Sequence, residues 1–216
     1  MTDIAIVDYG MGNLRSVSKA LEHVAPNASV VVTNDPLVVH QAERVVVPGQ
    51  GAMPNCMREL ESRGSRQAVQ EAAANKPFLG ICIGLQMLFE ESEEGHVKGL
   101  NILPGKVLQF PASVMTSPDG QKLKVPHMGW NQVHQMMDHP LWNGIADDAR
   151  FYFVHSYYVQ AANEASVAAQ TNYPFPFTCA VAKDNIFAVQ FHPEKSHDAG
   201  LKLLSNFTTW KPNFQR

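Results

Sequence analysis

Four short apolar runs in the first half of the chain carry no polar alternation: Ile4-Ala5-Ile6-Val7, Ser29-Val30-Val31-Val32, Arg44-Val45-Val46-Val47 and Phe78-Leu79-Gly80-Ile81. A strand without alternation is apolar on both faces, which is the property of a parallel sheet covered by helices on each side. Helical patterns fall between the runs. Leu14, Val17, Leu21 and Val24 recur at helical spacing behind Asn13, which is placed as an N-cap. Residues 56–75, rich in alanine, glutamate and arginine, read as helix, and so does Leu85 to Glu91. The second half differs. Lys106–Phe110, Phe151–Val154, Val167–Ala169, Thr178–Val181 and Ile186–Phe191 are β-like with few helices between them, which predicts antiparallel additions. Tyr173-Pro174-Phe175-Pro176-Phe177 reads as irregular because of its prolines. A last helix begins near Ser196, with Leu201, Leu204 and Phe207 on one face. The predicted fold is α/β, a largely parallel central sheet with helices on both faces and antiparallel additions from the C-terminal half. No repeat, linker or low-complexity tract interrupts it, so 1–216 reads as one domain.

Composition narrows what such a chain does. Seventeen basic and twenty acidic residues give a net charge of −3, which lacks the basic footprint of a nucleic-acid binder. No apolar run approaches the ~18 residues of a membrane span. Met1-Thr2-Asp3-Ile4-Ala5 lacks the basic-then-apolar layout of a signal peptide. Three cysteines, Cys56, Cys82 and Cys179, form no pairing pattern and fit a reduced, cytoplasmic setting. Cys56 and Cys179 read as small buried apolar residues.

Chemistry concentrates in three stretches. Gly80-Ile81-Cys82-Ile83-Gly84-Leu85-Gln86 places a cysteine between glycines at a strand-to-helix junction. Such a sharp turn thrusts a nucleophile outward, and a helix N-terminus favours its thiolate. The Ile83 N–H would then point at a developing oxyanion. A buried cysteine in a tight βα junction is the other reading of the same pattern. In Gln190-Phe191-His192-Pro193-Glu194, His192 and Glu194 stand two apart, so both can serve one region as base and orienting carboxylate. A structural histidine–carboxylate pair has the same signature. Pro48-Gly49-Gln50-Gly51 follows a strand, and its glycines let the Gln50 peptide offer a second oxyanion donor, or simply make a turn. Gly10-Met11-Gly12-Asn13-Leu14-Arg15 begins like a dinucleotide fingerprint, but Arg15 occupies the third glycine position. Neither His134 with His139 nor His192 with His197 has the spacing of a helical metal pair, so no metal is expected.

Taken together and in order, the cysteine elbow, the Pro48–Gly51 turn and Phe191-His192-Pro193-Glu194 resemble the class I (triad) glutamine amidotransferases. The segments Asp8–Leu14, Pro126–Asn131, His155–Tyr158 and Pro193–Ser196 narrow the resemblance to members that serve a separate cyclase subunit. It extends over essentially the whole chain. The resemblance implies hydrolysis of L-glutamine to glutamate and ammonia through a thioester on Cys82, with His192 as base and Glu194 holding it. It implies an oxyanion hole from Gln50, Gly51 and Ile83, and glutamine contacts from Gln86, Glu94 and Ser156. It further implies a heterodimer with a (β/α)8 barrel that receives ammonia through a channel, faced by Asn13, Trp130, Tyr152 and Lys195. No cofactor is called for. Gln50 departs from the aliphatic residue usual in the family. Three rivals stand beside this reading: a triad glutaminase serving another synthase, a non-catalytic binding protein on the same fold, and a cysteine hydrolase or chaperone on a related sheet, which lacks the Phe-His-Pro-Glu segment. Stimulation by candidate synthases separates the first, and loss of nucleophile or base would mark the second.

Overall fold

The computed structural model describes residues 3–116, 120 and 122–212; Met1 and Thr2 of the amino-terminal stretch lie outside them. The first half builds β1 (Ile4–Val7), α1 (Leu14–Val24), β2 (Val30–Thr33), α2 (Pro36–Gln41), β3 (Arg44–Gly49), α3 (Met53–Ser62), α4 (Arg66–Asn75), β4 (Phe78–Cys82) and the single turn α5 (Ile83–Gln86). The second half adds short strands β5 (Glu91–Ser92) and β6 (Val97–Lys98), then β7 (Gly105–Gln109), β8 (His127–Gln135), β9 (Ala149–His155) and β10 (Tyr157–Ala161). It closes with β11 (Val167–Asn172), β12 (Pro176–Lys183), β13 (Ile186–Val189) and α6 (His197–Thr209).

Strands run in the order β2-β1-β3-β4-β13-β12-β10-β7-β5-β6. The five from β2 to β13 are parallel to one another. β1, β4 and β13 are buried along their full length and β3 over all but its first residue, as the unalternated runs require, while β2 at the edge is only partly covered. The connection from β1 to β2 and the later ones toward β4 step in opposite directions. Right-handed crossovers therefore place α1 on one face and α2 to α4 on the other. α1 packs with α6, and α2 with α4. The strand order reverses between β1 and β3, and sites in such sheets collect at the carboxyl ends of the strands.

Beyond β13 the sheet is mostly antiparallel, through β12, β10 and β7, with β11, β8 and β9 branching from β12. β13 itself belongs to both parts, parallel to β4 and antiparallel to β12.

Several predicted elements differ in detail. The helix read over 56–75 is two helices, because Gly64 turns the chain at φ +67. The helix read from Leu85 to Glu91 stops at Gln86. The N–H groups of Leu100, Asn101, Ile102 and Leu103 take the carbonyls of Met87, Phe89 and Leu88, so the helical ladder cannot continue. Asn13 occupies the N-cap position of α1, yet its side chain makes no capping bond. α2 was not predicted, although Asp35 caps it through Leu37 N at 2.9 Å and Pro36 opens its first turn.

The elbow is tightly packed. A Cβ on Gly84 would overlap the Val47 carbonyl oxygen, and one on Gly80 would press on the Gly84 backbone. Gly84→Ala is expected to cost at least roughly 1–3 kcal/mol of stability through overpacking against backbone. A urea midpoint equal to that of the unsubstituted chain would contradict this packing.

Candidate active site

Four of the parallel strands deliver the site from their carboxyl ends. β4 ends at Cys82, whose φ of 56 and ψ of −107 place a non-glycine residue in a strained elbow. The turn after β3 supplies Gln50 and Gly51, with Gly51 at φ +106. The chain leaving β13 supplies Gln190, His192 and Glu194. After β1, the buried Tyr9 hydroxyl donates to the Pro48 carbonyl at 2.8 Å and so ties the first strand end to the turn. Gly12 packs on Pro48 and Gly49, which brings the Gly10–Asn13 loop against the same turn.

Cys82, His192, Gln50, Gly51, Ile83, Gln86, Glu94 and Ser156 all line one cavity of about 300 Å³, closed further by Pro126, Val154, His155 and Tyr157. Glu194 stands behind His192, its Oε1 2.8 Å from His192 Nδ1, and both side chains are withdrawn from solvent. Burial opposes charge on the His192 imidazole. The neighbouring Cys82 sulfur and the Glu194 carboxylate outweigh it and raise the pKa to about 10. His192 Nε2, the nitrogen turned away from Glu194, makes no hydrogen bond of its own. Gln86 Oε1 and Glu194 Oε2 are likewise buried without a partner. Buried polar atoms are normally satisfied, and two of these three, His192 Nε2 and Gln86 Oε1, belong to residues that line the cavity.

The residues assigned to a partner face gather outside the cavity. Trp130, about a third exposed, lies parallel to His197 with centroids 4.9 Å apart and meets Tyr152 edge-on. Lys195 Nζ sits 6.0 Å over the Tyr152 ring. This cluster is wired to His192: His192 N donates to Tyr152 O, and Ser196 Oγ bridges Tyr152 N and His192 O. Asn13 heads α1, which packs on Pro193–Lys195.

Sequence reasoning named Cys56 and Glu94 without the contacts they make here, read Cys179 as buried, as it is, and passed over Gln190 and strand β8. Cys56 is more than filler, because its thiol, pushed up to about 11 by burial, donates to the Gln50 carbonyl at 3.7 Å. Cys179 is fully buried, and burial lifts its thiol well above the ordinary value. Glu94 Oε2 accepts from Met53 N at 2.7 Å, anchoring the start of α3 beside the Gln50 turn. Gln190 is completely buried and reaches both Cys82 and Gln86. Its signal was available, since it is a polar residue two positions before His192 on extended chain. β8, whose burial alternates irregularly, was also missed; it contributes His127, whose Nδ1 lies 3.0 Å from His155 Nε2. The tautomers of that pair are forced. His155 Nδ1 faces the Tyr157 carbonyl at 2.8 Å and must donate, so His127 Nδ1 donates to His155 Nε2. Burial holds His127 at about 4 and His155 at about 3.

Among the described residues the one group of three metal-capable side chains is His134, Asp147 and Asp148, all exposed and none lining the cavity.

The chain matches the glutamine amidotransferase class-I family over residues 5–210. It belongs to that family and is a glutamine amidotransferase, an enzyme. It is 74% identical to the imidazole glycerol phosphate synthase subunit HisH of Nitrosospira multiformis, covering 98% of this chain and all of the relative. The subunit of the same name from Methylococcus capsulatus is 55% identical, with 98% of each chain covered. Among solved structures, a glutamine amidotransferase from Thermotoga maritima superposes with a TM-score of 0.61 at 16% identity, covering 89% of this chain and 76% of that one. PurLQS from Thermotoga maritima gives 0.63 at 20% identity, covering 96% and 98%. These distant structures share the fold.

Two measurements test the electrostatics. Histidine 15N NMR at pH 6 should show His127 and His155 neutral with the proton on Nδ1, and His192 doubly protonated. His192 should titrate near 10 and fall in Cys82→Ser, which removes the opposing sulfur charge; an unmoved titration would contradict the pairing. Stability gives the second. His127 and His139 have folded pKa values near 4, lowered by burial from 6.5, so the stability they contribute is present above pH 6.5 and lost as pH falls through about 4. Urea midpoints should therefore drop across that window, and flat midpoints would refute the burial argument.

Proposed function

We propose that this chain is the glutaminase subunit of imidazole glycerol phosphate synthase and that Cys82, His192 and Glu194 form its catalytic triad. The observation that carries the reading is the convergence of the strained cysteine elbow and a buried, carboxylate-held imidazole on one cavity. Cys82 attacks the side-chain carboxamide carbon of L-glutamine, and the carbonyl electrons move onto oxygen. Backbone N–H groups at Gln50 or Gly51 and at Ile83 receive that oxyanion. His192 then gives its Nε2 proton to the departing nitrogen, the C–N bond breaks, and ammonia leaves behind a glutamyl thioester. Water, deprotonated by His192, adds to the thioester, the C–S bond breaks, and glutamate is released. Glu194 holds the imidazole and balances its charge without accepting the proton.

Gln86, Glu94 and Ser156 hold the amino-acid end of the substrate. Gln86 Oε1, an unsatisfied buried acceptor lining the cavity, supports this assignment. Ammonia passes to a cyclase partner built as a (β/α)8 barrel, which produces imidazole glycerol phosphate and AICAR in histidine biosynthesis. Asn13, Trp130, Tyr152 and Lys195 face that barrel in a heterodimer. The exposure of Trp130, and of Met128 at 65% on the same strand, supports an interface there. Residues 1–216 act as one domain, a reading supported by a sheet that draws strands from both halves. Among the described residues no helix is long and apolar enough to cross a membrane. Together with three buried free cysteines, this is compatible with the cytoplasmic setting we propose.

Cys82→Ser is expected to abolish glutamine-dependent synthesis by the complex while ammonia-dependent synthesis continues. Loss of at least roughly three orders of magnitude in glutamine turnover is expected, because nucleophile and base act as a unit. Equal loss of both activities would assign Cys82 to folding instead.

A further inference from the structure

Gln190 carries no role in the triad, yet it is fully buried and stands between the nucleophile and the substrate contact Gln86. Its amide orientation is dictated by a chain of necessity that starts at a backbone carbonyl. The Tyr157 carbonyl can only accept, so the Gln86 atom 3.1 Å from it must be the amide nitrogen. That same nitrogen lies 3.0 Å from the Gln190 side chain, which must therefore present its oxygen there. Gln190 Nε2 is then the atom left to face Cys82 Sγ, at 3.6 Å. Flipping Gln86 alone would set oxygen against oxygen at both contacts, and flipping Gln190 alone would set nitrogen against nitrogen. Flipping both would still leave the Gln86 oxygen against the Tyr157 carbonyl, so each alternative costs hydrogen bonds.

Resting on the triad reading above, we infer that Gln190 is a further residue of the catalytic site, a fixed N–H donor to the Cys82 sulfur that also locks the Gln86 amide toward the substrate. The two tasks follow from its two ends. A thiolate is a far better acceptor than a thiol, so a donor held against the sulfur favours the attacking form and steadies the sulfur as the thioester bond breaks. The oxygen end occupies the second amide proton of Gln86, whose first is taken by Tyr157. With both protons committed, Gln86 Oε1 is an acceptor of fixed direction, and a substrate N–H meets it without reorganisation.

The ends can be separated by substitution. Gln190→Glu retains an acceptor for Gln86 and replaces the donor to sulfur with a carboxylate oxygen. Gln190→Met preserves volume and removes both ends. The measurements are steady-state glutaminase kinetics of the chain with its cyclase partner, and the pH dependence of Cys82 alkylation by iodoacetamide, followed by peptide mass. Gln190→Glu is expected to lower kcat by roughly ten- to a hundredfold, the scale of a hydrogen bond to a charged group, with KM for glutamine changed less than threefold. Gln190→Met is expected to lower kcat and also raise KM roughly tenfold. In both, the alkylation midpoint should move to higher pH, a shift that loose packing alone does not produce.

A Gln190→Met chain that folds with an unchanged alkylation profile and unchanged KM overturns the inference. That variant decides the matter even if the buried glutamate prevents Gln190→Glu from folding. Alkylation of Cys82→Ser at the parent rate would show that the labelled thiol lies elsewhere. In that case it is the triad reading that fails.

Discussion

Strand β13 pairs with β4 in parallel register, Ile186 opposite Phe78 through Val189 opposite Ile81. That seam joins residues more than a hundred positions apart and sets His192 beside Cys82. Every other feature of the site depends on it. Side chains alternate between faces along a strand, so a slip of one residue would turn Gln190 and His192 away together and bring Phe191 toward the sulfur. The seam is protected by burial: β4 and β13 have no exposed residue, and a slip would move whole apolar faces. The close packing of Gly84 on Val47 then fixes how far the elbow projects above the sheet.

Around this seam the polar groups form a directed network in a poorly hydrated interior. Asn131 Nδ2 approaches His127 Nε2 at 3.3 Å, His127 donates to His155, and His155 donates to the Tyr157 carbonyl. Gln86 donates to that same carbonyl, so strand β8 and the floor of the cavity meet at one oxygen. Such a network tolerates only one pattern of donors and acceptors, because each buried orphan is costly. It also divides the histidines by role. His127 and His155 lack a counter-charge and are held neutral by burial. His192 is buried just as deeply, yet Cys82 and Glu194 hold its charge. The same low-dielectric interior suppresses one charge and strengthens another according to whether a partner is at hand.

The cysteine elbow, the His192–Glu194 pair, the Gly49–Gly51 turn and the parallel sheet were legible because each has a local signature. Glycines flank Cys82 and Gln50, and the unalternated runs announce two-sided burial. The lengths of helices were less legible. Gly64 splits one helix through a backbone conformation, and α5 ends where carbonyls are captured by residues 100–103, a contact between segments. Strand β8 was missed because its residues face partly outward and its burial alternates irregularly, leaving no clean period to read. Cys56 read as filler, since the angle at which α3 leaves the Gln50 turn, which brings its thiol to the Gln50 carbonyl six residues back, has no signature in residue types.

What the sequence by itself determined is therefore the set of chemical groups and the strand ends that carry them: a cysteine on an elbow, an imidazole with a carboxylate two residues on, and a glycine-flanked turn. These depend on backbone preferences and on spacing within a few residues, which any local stretch of chain expresses. Tertiary structure alone decided which way the amides of Gln86 and Gln190 point, which histidines are charged, and which thiol lies beneath the turn. Those properties arise from how segments pack: Tyr157 and Gln190 fix the Gln86 amide and Cys82 meets His192 from separate strands, and burial makes each unpaired group expensive. Neighbours across the sheet complete what neighbours along the chain begin: Glu194 holds His192 from two residues away, and Cys82, from a distant strand, adds to the charge it keeps.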